Sequence, residues 1–295
     1  MRLVAKGYTQ IEGVDYFDSF SLVAKTVTQA SRQWNIEFTS ELEKFGFRQS
    51  AHDYCLFIKH SGSKFTALLV YIDDVLLTGT SLEALQAVKA YLHRLFTIKD
   101  LDFAKYFLGL ELARSTHGTC VMQTKYLCDI LVDCHMTEAK PTGTPLPLGI
   151  KFEAYAGPLS PHPDRYRRLL SQFIQSPRQA HWDVALHLVR YLKGTPSLGL
   201  FFTSSNSLHL SVFSDSDWAA CLDSRCSITG YCVFLGGALL SWKTKKQTSV
   251  SRSSVEAEYQ SMGTIVCELL WINDLVRDFK LSFMLQSLFG VTIRL

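Results

Sequence analysis

Apolar runs broken by turn residues dominate the first half of the chain. From Ala67 to Leu77 the positions are almost continuously apolar, interrupted by Asp73 and Asp74, and the run closes at Thr78-Gly79. Leucine, β-branched and aromatic residues in such runs predict two short strands joined at the acid pair. Thr80-Ser81-Leu82-Glu83 has capping-box spacing and predicts a helix through about Leu95. A hairpin is expected from about Ala104 to Met122, turning at Ser115-Thr116-His117-Gly118, then an amphipathic helix from Lys125 to Cys134. In the second half a helix is expected near His181 to Leu192, followed by strands at Leu198–Phe202, Leu208–Ser214, Ser227–Phe234 and Ala238–Lys243. Gly236-Gly237 is a hairpin signal between the last two. A long helix is predicted from Ser253 to about Asp278. Between the halves, six of the eight prolines fall from Pro141 to Pro163, the composition of a linker or extended connection.

A length of 295 residues suggests about two domains, and 47% hydrophobic against 19% charged residues suits a sizeable core and excludes general disorder. A net charge of +3 says little about a nucleic-acid partner, because a local basic cluster matters more than the sum. The eight cysteines form no CxxC pair and no zinc-like cluster with histidine, which points to reduced thiols in a cytoplasmic or nuclear setting. Met1-Arg2 leads into no long apolar stretch, so a signal peptide and secretion are not expected. No segment has the length of a membrane span, so no membrane partner is expected.

Three groups of residues carry candidate chemistry. Asp73 and Asp74 repel each other between apolar flanks, which favours either a solvated polar turn or neutralisation by a divalent cation. Asp215 and Asp217 end an alternating strand, on one face if the strand continues; both can equally be strand-end acids. Ser253-Ser254-Val255-Glu256 is a capping box that gives Glu256 a structural role, while Glu258 is left either for a metal or for a solvated helix face. Lys243, Lys245, Lys246 and Arg252 precede this helix, suited to a phosphate backbone or to guarding an exposed sheet edge.

Tyr71-Ile72-Asp73-Asp74 resembles the Tyr-x-Asp-Asp hairpin of reverse transcriptases, and its surroundings resemble those of copia-type retrotransposon polyproteins. Arg2-Leu3-Val4-Ala5-Lys6-Gly7-Tyr8-Thr9-Gln10 and Gly13-Val14-Asp15-Tyr16-Phe17 are similar to that family's fingers segment. Lys105-Tyr106-Phe107-Leu108-Gly109-Leu110-Glu111 is similar to the segment after its catalytic hairpin. Phe213-Ser214-Asp215-Ser216-Asp217-Trp218-Ala219 and Ser253-Ser254-Val255-Glu256-Ala257-Glu258-Tyr259 are similar to its ribonuclease H domain. The motifs run in the family's order up to about Phe279.

The resemblance implies a mixed α/β fold. Residues 1–137 would be a partial reverse-transcriptase fingers and palm, 138–180 a Pro-rich shortened connection, and 181–295 an incomplete ribonuclease H-like domain. It implies RNA-directed DNA synthesis with hybrid cleavage, both in-line displacements at phosphorus assisted by Mg2+ or Mn2+. Asp73, Asp74, Asp215 and Glu258 would be the catalytic metal ligands. Tyr71 would pack near the primer end, Arg2 would approach the incoming triphosphate, and Lys243, Lys245, Lys246 and Arg252 would contact nucleic acid. The implied partners are an RNA or DNA template-primer or hybrid, bound weakly, and a full-length retrotransposon polyprotein.

The chain also departs from the family. Ser21-Leu22-Val23-Ala24-Lys25-Thr26-Val27-Thr28 and Gln29-Ala30-Ser31-Arg32-Gln33-Trp34 resemble the two sides of a longer segment whose middle, with a palm carboxylate, is absent. A second shortening follows Tyr166-Arg167-Arg168-Leu169-Leu170, and Lys280 to Leu295 diverges and contains no acid. The expectation is therefore an internally deleted, truncated remnant with impaired catalysis; the alternative is a non-catalytic nucleic-acid-binding or interaction protein.

Overall fold

The apolar run around the acid pair folds as an antiparallel hairpin of β4 (Lys64–Tyr71) and β5 (Asp74–Gly79). In the computed structural model, which describes residues 2–5, 34–72, 74–147, 157–170, 173–204, 209–281 and 289–291, the chain forms two compact units. The first comprises Met1–Phe107 and Glu268–Ser282, the second Leu108–Cys267 and Phe283–Leu295. The domain spans expected from the sequence divide the chain differently, at 137 and 180.

The first unit is built on a six-stranded antiparallel sheet. Its strands are β1 (Arg2–Ala5), β2 (Arg48–Gln49), β3 (Leu56–Ser61), β4, β5 and β6 (Ile98–Asp100), in the order β2-β3-β4-β5-β1-β6. Helices α1 (residues 34–44) and α2 (Leu82–Leu95) contribute Phe38, Leu42, Val88 and Leu92 to a core with Phe57, Leu68, Val70, Val75 and Leu77. The opposite face buries Leu56, Ile58 and Ala67 against Leu275 and Phe279. Because both faces of β3 and β4 are covered, β4 reads as a near-continuous apolar run rather than an alternation. Each such side chain contributes roughly 1.5–3 kcal/mol on burial. A short strand, β7 (Tyr106–Phe107), follows.

The Thr80 capping box does not form. Helix α2 begins one residue later, after Ser81, with no side-chain cap bond. The Thr80 hydroxyl instead accepts from the Phe65 N–H at 3.1 Å, and the Thr80 N–H donates to the Phe65 carbonyl at 3.0 Å, which prolongs the β4–β5 pairing. The sheet edge thus takes the group that the local pattern assigned to the helix. Gly79 permits this closeness: a Cβ there would lie 2.7 Å from the Phe65 carbonyl oxygen.

In the second unit, β8 (Leu110–Ser115) and β9 (Gly118–Met122) form the expected hairpin, and β10 (Leu200–Thr203) pairs with β9. Helices α3 (Thr124–Asp133), α4 (Pro163–Leu169) and α5 (Gln179–Lys193) pack around Leu127, Leu131, Tyr166, Trp182 and Val189. Helix α4, unanticipated in the Pro-rich connection, starts with Pro163 in its first turn, where a missing N–H costs nothing.

The remaining sheet has the order β13-β12-β11-β14, with β11 (Leu210–Asp217), β12 (Ile228–Leu235) and β13 (Ala238–Lys246) antiparallel. Strand β14 (Phe289–Val291) lies parallel to β11. The expected turn at Gly236-Gly237 has φ of 55° and 86°, the left-handed values a tight hairpin needs. Helix α6 (Ser254–Asp278) follows, burying Ala257, Ser261 and Ile265 within this unit.

Candidate active site

The first candidate site lies at the β4–β5 turn. Tyr71 pairs with Asp74, so the turn is tight. Tyr71 and Ile72 are exposed, and Asp74 is half-buried. Asp73 lies outside the described residues. Ile72 has φ 53°, a left-handed conformation that a β-branched residue adopts only under strain. The strand beside β5 is β1, with Arg2 opposite Leu76 and Val4 opposite Asp74. Its residues Arg2, Leu3, Val4 and Ala5 include no acid. Asp15 and Asp18 lie outside the described residues, as does the junction of Thr28 with Gln29.

The second site joins the end of β11 to the start of α6. Leu210, Val212 and Ser216 point into the unit, which turns Asp215 and Asp217 to the other face. The buried Ser216 N–H donates to Asp215 Oδ1 at 3.0 Å and to Glu258 Oε1 at 3.2 Å, so two carboxylates distant in sequence share one donor. Glu258 Oε2 is buried with no hydrogen-bond partner. Burial pushes the Glu258 carboxyl above the usual carboxylate range. The Ser216 N–H opposes this shift, and the negative charges of Asp215 and Asp217 add to it. A buried, electrostatically disfavoured carboxylate oxygen with no donor suits a cation.

Glu256 and Glu258 have separate surroundings. The Glu256 N–H donates to Ser253 Oγ at 3.2 Å, and Glu256 Oε2 accepts from the Arg252 N–H at 2.8 Å. The reach is one residue further back than in the usual reciprocal box, but the same end of α6 is capped.

Sequence reasoning missed the groups that hold this site together. Gln247, buried just after β13, donates through Nε2 to Ser216 Oγ (3.2 Å), Thr229 Oγ1 (3.0 Å) and the Ala257 carbonyl (2.9 Å), and accepts from Ser251 Oγ at 3.0 Å. It ties β11, β12 and α6 together beside the two carboxylates. Ser261 Oγ donates to the Asp215 carbonyl at 3.3 Å, and Trp218 Nε1 to the Ser251 carbonyl at 3.0 Å. A glutamine between a strand and a capping box carries no local signal of burial.

Lys243, Lys245 and Lys246 line a cleft of about 400 Å³ beside α6, with Gln260, Gly263 and Thr264 on its helix side. Lys243 and Lys245 pair across the strands with the buried Tyr231 and Thr229. Arg252 is exposed and does not line this cleft. Asp274 and Asp278 belong to the first unit, where Asp278 accepts from Ser50 Oγ at 2.5 Å. Among the described residues no three His, Cys, Asp or Glu side chains gather to hold a metal. No helix of the described residues is long and apolar enough to cross a membrane.

The family described as reverse transcriptase (RNA-dependent DNA polymerase) matches residues 25–147, a span that includes the Tyr71–Asp74 turn. The retrovirus-related Pol polyprotein from transposon RE2 of Arabidopsis thaliana is 34% identical over 296 residues, covering 94% of this chain and 20% of that protein. The Pol polyprotein from transposon RE1 of the same plant is 31% identical, covering 94% of this chain and 24% of that protein. That alignment runs over 358 positions, more than the 295 residues present here, so the relative carries internal residues that this chain lacks. An uncharacterized mitochondrial protein of Arabidopsis thaliana is 36% identical over 224 residues, covering 69% of this chain and 93% of that protein. No solved structure matches. The chain spans about a fifth of the first of these polyproteins. With ordered motifs along its length and these relatives, it belongs to the reverse transcriptase family of copia-type retrotransposon Pol polyproteins.

Proposed function

We propose that this chain is a catalytically impaired remnant of a retrotransposon RNA-directed DNA polymerase joined to a ribonuclease H. The reading keeps 1–137 as a fingers and palm remnant, 138–180 as the connection and 181–295 as the ribonuclease H-like part. The observation that carries the impairment is the strand beside β5: it is Arg2–Ala5, which supplies no carboxylate next to Asp74. A polymerase site of this family needs an acid from such a strand to complete its metal ligands.

When bound, Mg2+ or Mn2+ would supply electrophilic stabilisation of the attacking and leaving oxygens at phosphorus. Asp73 and Asp74 would hold the ion at the turn, with exposed Tyr71 offering its ring to the primer end and Arg2 reaching the triphosphate. Asp215 and Glu258 would hold the ion at the second site, and the unpartnered Glu258 Oε2 supports that fit. The Ser216 N–H donates to one oxygen of each carboxylate, which brings the two groups to the same strand end. Two carboxylates bind a hard cation loosely, so this site too falls short of stabilising both reacting oxygens. A full-length polyprotein is the partner that could supply the missing ligands.

A second reading, a non-catalytic nucleic-acid binder, is favoured by the cleft lined by Lys243, Lys245 and Lys246. Primer extension and RNA–DNA hybrid cleavage by the purified chain, with magnesium or manganese, separate the readings; neither product is expected. Extension that disappears in Asp73→Asn would overturn the polymerase half. Cleavage lost in Glu258→Gln but kept in Glu256→Gln would overturn the other half while confirming which glutamate acts.

A further inference from the structure

The turn that follows the Asp215–Asp217 strand end carries two cysteines, Cys221 and Cys226, that the polymerase and nuclease readings do not use. They stand at the mouth of a six-residue loop. The Cys221 N–H donates to the Cys226 carbonyl at 3.2 Å, and the Arg225 N–H donates to the Cys221 carbonyl at 2.7 Å. Arg225 has φ 55°, which lets the chain reverse within so few residues. The base of the loop is anchored: the Ala219 N–H donates to Ser227 Oγ at 3.1 Å, and the Gln247 N–H to the Ser227 carbonyl at 2.9 Å. The single bond from the Cys221 N–H to the Cys226 carbonyl limits their Cα atoms to about 7 Å apart at most, the upper limit of what a disulfide spans.

The two thiols are not equivalent. Cys221 is half-exposed, and Lys246 Nζ donates to its Sγ at 3.8 Å. The Ser224 hydroxyl lowers the Cys221 thiol below its ordinary value, helped by the Ser224 and Asp223 N–H groups and by the Lys246 charge, against a smaller opposing effect of burial. Cys226 is buried. One thiol is therefore accessible and disposed to ionise, and the other is shielded from oxidant but adjacent in the chain's own turn.

We propose that Cys221 and Cys226 form a reversible intramolecular disulfide, with a hydroperoxide as oxidant. The Cys221 thiolate attacks the peroxide: an S–O bond forms, the O–O bond breaks, and the departing oxygen takes a proton to leave as alcohol or water. The Cys226 sulfur then attacks Cys221 sulfur: the S–S bond forms, the S–O bond breaks, and hydroxide leaves as water with the Cys226 proton. Two thiols lose two electrons and two protons, and one hydroperoxide is reduced. Lys246 loses its thiolate partner in the process.

The experiment treats the full chain with limiting hydrogen peroxide and maps the cysteines by mass spectrometry. Trypsin cuts after Arg225, between the two cysteines, so the disulfide is read as two tryptic peptides held together until reductant is added, and fragmentation of the linked pair places the bond on Cys226 rather than on Cys232 of the same peptide. The expected result is that crosslink, in a chain two hydrogens lighter, forming at least about tenfold faster than oxidation of the exposed Cys128 and Cys267. In Cys226→Ser a dimedone adduct should accumulate on Cys221 instead. A persistent Cys221 sulfenic acid in the unsubstituted chain, a crosslink to any other cysteine, or a Cys221 no faster than Cys128 would overturn the proposal. The mapping uses the unsubstituted chain, so it stands even where a variant fails to fold.

Discussion

Replacing Gln247 by leucine should unfasten the carboxylate site with little change in side-chain volume. Four polar groups lose the Gln247 amide at once: Ser216 Oγ, Thr229 Oγ1, the Ala257 carbonyl and Ser251 Oγ. Ser216, Thr229 and Ser251 are 7%, 4% and 3% exposed, so water cannot replace the amide without opening the structure. At about 1 kcal/mol of net stabilisation per bond the four total about 4 kcal/mol, and a buried leucine returns about 1.5–3 kcal/mol, which leaves a loss of about 1–2.5 kcal/mol. Hydrogen exchange suits the test better than global unfolding, because the chain has two compact units and an all-or-none transition is not assured. Amides of β11 should exchange roughly 5- to 60-fold faster in Gln247→Leu, the same free energy at about 1.4 kcal/mol per factor of ten. Ser249→Ala is the control. Its exposed hydroxyl meets Gln260 at 3.4 Å, and its removal should move protection by less than about 0.5 kcal/mol. Unchanged β11 protection in Gln247→Leu would refute the claim that this amide fastens strand to helix.

Glu258→Gln should alter how stability depends on pH. The folded Glu258 carboxyl lies above its unfolded value, so the stability this group contributes is fully present in acid and is lost as pH rises through the folded pKa. In metal-free buffer the variant should exceed the parent at neutral pH, with the gap closing below the ordinary carboxylate range; a gap constant with pH would contradict this. Glu256→Ala should cost about 0.5–1 kcal/mol through the lost cap on α6, visible as a lower thermal midpoint, and an unchanged midpoint would show the cap to be idle. Nucleic-acid binding should be sequence-independent and salt-sensitive, with log affinity falling against log salt at a slope of about −3 on duplex DNA for three or four phosphate contacts. Survival of binding after Lys243, Lys245, Lys246 and Arg252 are all replaced by alanine would move the interface elsewhere.

The sequence by itself determined the elements whose geometry closes within a few residues. The strands flanking Asp74, the turn at Gly236-Gly237, the hairpin at Ser115 to Gly118 and the capped start of α6 near Ser253 are all legible, because hydrophobic period and turn chemistry act locally. Order and spacing of motifs carried the family. Tertiary structure decided the rest. Thr80 serves Phe65 rather than helix α2, and β10 pairs with β9 rather than with its nearer neighbours in sequence. Likewise β1, read as part of a fingers segment, stands beside β5, where the missing acid was expected to matter. The resemblance implied that Asp215 and Glu258 share a site, but no pattern indicated that the Ser216 N–H joins them or that Gln247 holds the strand end to the helix. Such bonds depend on which distant segment arrives opposite a given group. Burial fixes that choice by the summed fit of whole faces, and a single polar residue has no periodicity through which to announce it.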